Sequence, residues 1–327
     1  MAPSRRIIAS GALLGLCLAA AGHLLTAAHP AGPETLLPGA LTRTGADGRV
    51  APAPDFAPDP ARGAMLFALA ACASCHETPR DAVDPAAPPD LGPHLGGGKR
   101  IASDFGVFVA PNISSDPVAG VGAWTDLALY NAIARGIGPD GAHLYPAFPW
   151  TAYARMSVGD TLDLIAHLRG LPAVAAPAPP SEIPFPFNIR RAVGAWKLLF
   201  ADPAFVVADA GLSDAARRGR FLVEGPGHCA ECHTPRNALG ALDRSRWLTG
   251  APNLDGPGRV PDISAAGLKW SEADIAYYLK DGFTPEYDSV GGSMVEVVAN
   301  TTRLSDADRA AIAAYLKAIP APALAPI

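Results

Sequence analysis

The sequence predicts a mainly α, loop-rich protein made of two tandem copies of one small module, behind an N-terminal transmembrane or signal helix. Three observations predict it. The pentapeptide C-x-x-C-H occurs twice, as Cys72-Ala-Ser-Cys75-His76 and Cys229-Ala-Glu-Cys232-His233. Other short strings recur around both copies in the same order. Each half closes on an amphipathic stretch with a serine ahead of it and a proline behind it.

At the N-terminus, Arg5 and Arg6 precede an uncharged stretch from Ile7 to Pro33 whose apolar core runs from Ile7 to Ala21. That is the pattern of an export signal. Thr26-Ala27-Ala28 offers small residues for cleavage, but His29-Pro30 follows directly and proline disfavours processing. Counted on to Ala28, the stretch approaches bilayer-spanning length, and the arginines would hold its start in the cytoplasm. Residues 1–29 therefore read as a signal-anchor segment, with a cleaved signal as the alternative. The rest is then expected at the periplasmic face of a bacterial inner membrane, or in the periplasm if the segment is cleaved. Cys17 within it reads as an inert apolar residue. Residues 30–58, rich in Pro, Ala and Gly without periodicity, read as a tether.

Residues 59–171 and 209–320 are the two modules. Gly63-Ala-Met-Leu-Phe67 matches Gly219-Arg-Phe-Leu-Val223, and Pro111-Asn-Ile-Ser114 matches Pro261-Asp-Ile-Ser264. Trp124 to Tyr130 matches Trp270 to Ala276, and Ser157 to Leu171 matches Ser305 to Ile319. In the last pair the serines read as N-caps, and Leu162, Ile165 and Leu168, like Ile312, Tyr315 and Leu316, recur at helical spacing. Gly63 and Gly219 would let the first helix of each module cross closely against the last. Residues 172–208 lie between the modules, and the stretch from Leu171 to Pro186 contains Pro172, Pro177, Pro179, Pro180, Pro184 and Pro186, which rules out a regular helix in that stretch. The basic, aromatic and apolar run Ile189 to Phe200 suits a membrane surface, a partner subunit, or a helix packed between the modules.

C-x-x-C-H is the attachment signature of c-type haem. Two thiols spaced by one helical turn can each join one vinyl group, and the histidine that follows lies under the iron. The two motifs use four of the five cysteines. A shared zinc site needs two neighbouring pairs, whereas Cys72 and Cys229 stand 157 positions apart. A redox dithiol does not call for the histidine. Two haem c groups are expected, held by Cys72, Cys75, Cys229 and Cys232, with His76 and His233 on iron. A net charge of −5 and the lack of a basic block argue against nucleic acid as a partner. Glycine and proline, 33 and 34 residues, fit long ordered loops, because 49% of the chain is hydrophobic.

With these residues in place the chain resembles the class I cytochrome c fold, twice over. More closely it resembles the cytochrome c subunits of bacterial membrane-bound periplasmic dehydrogenases that act on alcohols, aldehydes or sugar acids. The strings that carry the likeness are Cys229 to Arg236, Pro111-Asn-Ile-Ser114, Leu144-Tyr-Pro-Ala-Phe-Pro149 and Gly292-Ser-Met-Val-Glu-Val-Val298. Many members of that family carry three haems; this sequence has two motifs. The resemblance implies an electron-transfer subunit and no catalytic site of its own. It would be tethered to the inner membrane, take electrons from a dehydrogenase catalytic subunit and pass them to quinone or a terminal oxidase.

An electron-transfer haem closes its second face with Met or His. Of the four methionines, Met1 is the initiator and Met65 reads as core, leaving Met156 and Met294 as axial ligands, one per module. Met294 lies 61 residues after His233 in a Gly-Gly-Ser-Met loop that could present its sulfur to iron. Met156 competes with His94, His143 and His167, and it also reads as a hydrophobic staple ahead of the last helix. Aligned on that helix it falls opposite Leu304, while alignment on the tryptophans sets Met294 opposite Phe148. His167 falls opposite Tyr315 and reads as packing. Trp124 and Trp270 suit either porphyrin contact or core, and His228 reads as a surface residue. The rival function is a dihaem peroxidase, which needs one haem with an open sixth position and acid–base residues beside it.

Overall fold

The computed structural model describes residues 57–78, 93–253 and 256–320, together with the backbone of 42–43 and 50–51. The signal-anchor reading and most of the tether lie outside the described residues. No helix among the described residues is long and apolar enough to cross a membrane. Within residues 30–58, β1 (Thr42–Arg43) pairs antiparallel with β2 (Val50–Ala51).

The first module opens on α1 (Pro60–Leu69). Asp59 caps it, accepting from the amides of Ala61 and Arg62 at 2.8 and 3.2 Å, and Pro60 fills the first helical position, where its missing N–H costs nothing. Ala71, left-handed at φ 50°, turns the chain into the short helix α2 (Cys72–His76). A hairpin follows, β3 (Arg100–Ser103) with β4 (Gly106–Val109). Then come α3 (Asp126–Arg135), capped by Thr125, α4 (Trp150–Tyr153), and α5 (Val158–Arg169), where Ser157 and Asp160 form a capping box. After the connecting helix α6 (Arg190–Phe200), the second module repeats the order. Its elements are α7 (Asp214–Glu224), α8 (Ala230–His233), the ladder β5 (Ala251–Pro252) with β6 (Arg259–Val260), α9 (Glu272–Asp281), α10 (Met294–Thr301) and α11 (Asp306–Ala318). Serines 213, 271 and 305 cap α7, α9 and α11.

The glycines do what the repeat implies. A Cβ on Gly63 would stand 2.0 Å from the carbonyl oxygen of Asp163, and one on Gly219 would stand 1.8 Å from that of Ala311. In both modules, then, the first helix touches the backbone of the last, and only glycine fits the crossing. An ion pair clamps each crossing beside the glycine. Arg62 reaches Asp160, and Arg218 grips Asp308 through two bonds of 2.8 and 3.1 Å. The same glycines bring His167 and Tyr315 to equivalent places, with Cβ approaches of 2.9 and 2.7 Å. His167 packs on Phe67 with ring centroids 5.1 Å apart, and Tyr315 is fully buried with its hydroxyl on Glu224. His167 is a packing residue.

Each module has its own core, one built around Leu66, Leu129, Tyr153 and Leu162, the other around Leu222, Trp247, Ile275 and Leu316. The cores touch. Leu69 of α1 belongs to the second cluster, Phe221 of α7 packs against the first, and Met65 meets both. The proline-rich stretch after α5 is strapped to the first module. Asn112 donates to the carbonyls of Val174 and Ala176 at 2.7 and 2.9 Å, and Glu182 exchanges two backbone bonds with Val107 on β4. Of the three uses weighed for the run 189–200, packing between the modules is present. In α6, Lys197 donates to the carbonyl of Arg135 at 2.7 Å and Trp196 donates to that of Leu239 at 2.9 Å. Its outer side leaves Leu198 and Leu199 exposed.

Candidate haem centres

The two C-x-x-C-H segments sit in matching cradles. In α2 the thiols of Cys72 and Cys75 are one turn apart and His76 closes the helix. The Nδ1 of His76 donates to the carbonyl oxygen of Pro111 at 2.8 Å, and the Nδ1 of His233 donates to that of Pro261 at 2.8 Å. A carbonyl can only accept, so the proton is on Nδ1 in both rings and each Nε2 keeps its lone pair for a metal. The carbonyl oxygens of these histidines accept in turn from Gly97 and Gly250, both at 2.8 Å. Those glycines are left-handed, at φ 74° and 81°. A Cβ would meet the Ala110 carbonyl at 2.4 Å in one module and the Val260 carbonyl at 2.7 Å in the other. The chain thus passes directly behind each imidazole.

This explains the repeated Pro-Asn/Asp-Ile-Ser strings. Their proline supplies the acceptor for the histidine. Their second residue holds the turn, accepting from the amide of Ser114 onto Asn112 at 2.9 Å and from that of Ser264 onto Asp262 at 2.8 Å. Their isoleucine ties the strand back, Ile113 to the Leu95 carbonyl at 2.9 Å and Ile263 to the Leu248 carbonyl at 3.0 Å. The strings were legible as a repeat, but their role was not.

Burial holds both imidazoles below their ordinary range, against the raising effect of the proline carbonyls, so they stay neutral as ligands must. Burial, and then the neighbouring cysteine, push the thiols of Cys72 and Cys229 up to about 12. Surroundings that favour uncharged sulfur suit a thioether better than a zinc thiolate. Two thiols on one turn and an imidazole with Nε2 open fit haem c in both modules.

The methionines differ. Met156 is 6% exposed within the first core, directly ahead of the cap Ser157, and Leu304 holds the same place ahead of Ser305 at 4%. Met294 is not in a loop. It is the first residue of α10 and half-buried. Tertiary contacts hold that helix, with Val298 buried and the hydroxyl of Thr301 donating to the Leu279 carbonyl at 2.6 Å. Phe148, the residue opposite Met294, packs on Tyr153 with centroids 5.6 Å apart. His94 is half-buried and its carbonyl accepts from Thr78 at 2.7 Å, whereas His143 is 6% exposed and bridges to Ile137 through its backbone. Trp124 and Trp270 each pack against the core of their own module.

His228 is half-buried rather than exposed. At φ 37° its ring lies against the first module, edge to face with Tyr153 at 5.7 Å. Neither this contact nor the Arg–Asp clamps carried a sequence signal beyond the matched positions of Arg62 with Arg218 and Asp160 with Asp308.

The cytochrome c family model matches residues 216–320, which is the second module. The "diheme cytochrome c-type" protein of Cereibacter sphaeroides is 46% identical over 317 residues, covering 97% of this chain and 99% of that protein. The chain belongs to the dihaem c-type cytochromes. Haem c is the cofactor of this dihaem cytochrome, and its two attachment motifs give two sites. It is also similar to the fructose dehydrogenase cytochrome subunit of Gluconobacter japonicus, 38% identical over 279 residues, 83% of this chain and 55% of that one. The cytochrome c subunit of the quinone-dependent alcohol dehydrogenase of Gluconacetobacter polyoxogenes is 34% identical over 271 residues, 79% of this chain and 55% of its own length. The dihaem cytochrome thus spans about half the length of these two subunits.

Proposed function

We propose that this dihaem cytochrome is a periplasmic electron relay, tethered to the inner membrane by residues 1–29. It receives electrons from a dehydrogenase catalytic subunit and passes them to quinone or a terminal oxidase. The observation that carries the reading is kinship, over 83% and 79% of the chain, to subunits whose names join a cytochrome to fructose and alcohol dehydrogenases.

In this reading Cys72 and Cys75 hold one haem, and Cys229 and Cys232 the other. His76 and Met156 would hold the iron in the first module, and His233 and Met294 in the second. Bound haem supplies reversible one-electron chemistry. The protein fixes each imidazole through a proline carbonyl and keeps it neutral by burial. The buried setting of Met156 suits a thioether ligand as well as a staple residue, so ligation is tested by spectroscopy rather than by packing.

The test is purification of the full chain from membranes of its native host. The expected result is about two haems c per chain by pyridine haemochrome, a dehydrogenase in the same complex, and haem reduction when that enzyme's substrate is added without oxygen. A chain that purifies alone and turns over hydrogen peroxide would favour the peroxidase instead.

A further inference from the structure

The residue before the first cysteine of each motif is left-handed, Ala71 at φ 50° and His228 at φ 37°. These two positions are equivalent in the repeat, yet only one carries a side chain able to reach across. His228 adjoins Cys229. Its Nε2 points at the carbonyl oxygen of Ala70, 3.3 Å away, and only Ala71 separates Ala70 from Cys72. The same carbonyl accepts from the Tyr153 hydroxyl at 2.8 Å, and the Tyr153 ring meets that of His228 edge to face. The approach is close on both sides. A Cβ on Gly227 would come 3.3 Å from Cδ1 of Leu69. A second contact ties α10 to the same attachment helix, where Asn300 donates to the hydroxyl of Ser74 at 3.4 Å.

We propose that His228 is a positioning residue that links the two haem sites electronically, its ring bridging the attachment segment of Cys229 to that of Cys72. Electrons tunnel more readily through covalent bonds and hydrogen bonds than across gaps of equal length. The route from Cys229 through His228, one hydrogen bond, Ala70 and Ala71 to Cys72 contains a single non-covalent step. Per crossing it carries one electron, oxidising the haem on one side and reducing the haem on the other, with no bond broken and no proton moved at His228. Because the Ala70 carbonyl can only accept, the ring must carry its proton on Nε2. Tyr153 fixes that carbonyl and packs on the ring, so the geometry is set from both modules.

The proposal rests on both motifs being loaded, and the haem content of every variant checks that separately from rate. The experiment injects one electron into the oxidised full chain and follows its equilibration between haems. His228→Phe keeps the ring against Tyr153 and loses the donor, whereas His228→Gln keeps a donor. The expected result is that His228→Phe slows equilibration about fivefold, equivalent to about 1 kcal/mol of activation free energy, with both potentials and the unfolding temperature unchanged. His228→Gln recovers most of the rate. Nitrogen NMR of the wild type should show the His228 proton on Nε2. An unchanged rate in His228→Phe overturns the proposal, as does a proton on Nδ1. Slowing in both variants together with lower stability would mean that the ring only packs, and would overturn it too. Should His228→Phe fail to fold, the comparison of His228→Gln with His228→Ala decides: equal rates overturn the link, and a slower His228→Ala at equal potentials supports it.

Discussion

Gly219 lies so close to Ala311 that a Cβ would stand 1.8 Å from the alanine's carbonyl oxygen. No rotamer relieves that overlap, because the obstacle is backbone. Gly63 and Asp163 repeat it in the first module, so the two helical crossings are the same joint built twice.

Gly63→Ala and Gly219→Ala should therefore each destabilise their own module by about 1–3 kcal/mol, the usual cost of overpacking a tight contact. Urea unfolding followed by the haem Soret band would read this. Gly291→Ala, with no atom within 4 Å of the added methyl, is the control and should change nothing measurable.

The Arg–Asp clamps beside those joints should be energetically alike. Double-mutant cycles on Arg62 with Asp160 and on Arg218 with Asp308 are expected to give coupling of about 1 kcal/mol each, since both arginines stay partly in water. Single changes at Asp160 should cost more than changes at Arg62, because Asp160 also accepts from the backbone amide and hydroxyl of Ser157 and so caps α5. Stability measured in low and high salt would show the coupling shrink as salt rises.

Gly97 and Gly250 back the two imidazoles, and their effects should be confined to one centre each. Gly250→Ala should move the potential of the second haem and leave the first unchanged, with Gly97→Ala doing the reverse. The cause is displacement of the strand whose proline carbonyl orients the ligand. Redox titration resolved by haem is the check, and equal movement of both potentials would contradict the separate cradles.

Features within one stretch of chain were legible in the sequence. The attachment motifs, the cap serines 157 and 305 and the paired glycines are local or repeated, and physical rules attach to them directly. The resemblance to cytochrome subunits rests on four short strings read in combination, from Pro111-Asn-Ile-Ser114 to the run Gly292 to Val298. What escaped was set by distance along the chain or by tertiary support. His228 meets Ala70 across 158 positions, a contact that a reading of neighbours cannot supply. For Met294 the preceding Gly-Gly-Ser predicts a loop. Burial of Val298 and the Thr301 bond to Leu279 override that preference. The meaning of Pro111 and Pro261 stayed hidden because it is their backbone oxygen, and not their ring, that acts.

The central claim is that both haems are closed by methionine and serve transfer rather than turnover. Far-red absorption of the oxidised chain, read with Met156→Ala and Met294→Ala, tests it most directly. The account predicts low-spin iron in both modules and a methionine–iron charge-transfer band with intensity for two sites. Each substitution should remove half of that band, and the wild type should show negligible peroxide turnover. A high-spin first haem that turns over peroxide, with the band unaffected by Met156→Ala, would contradict it.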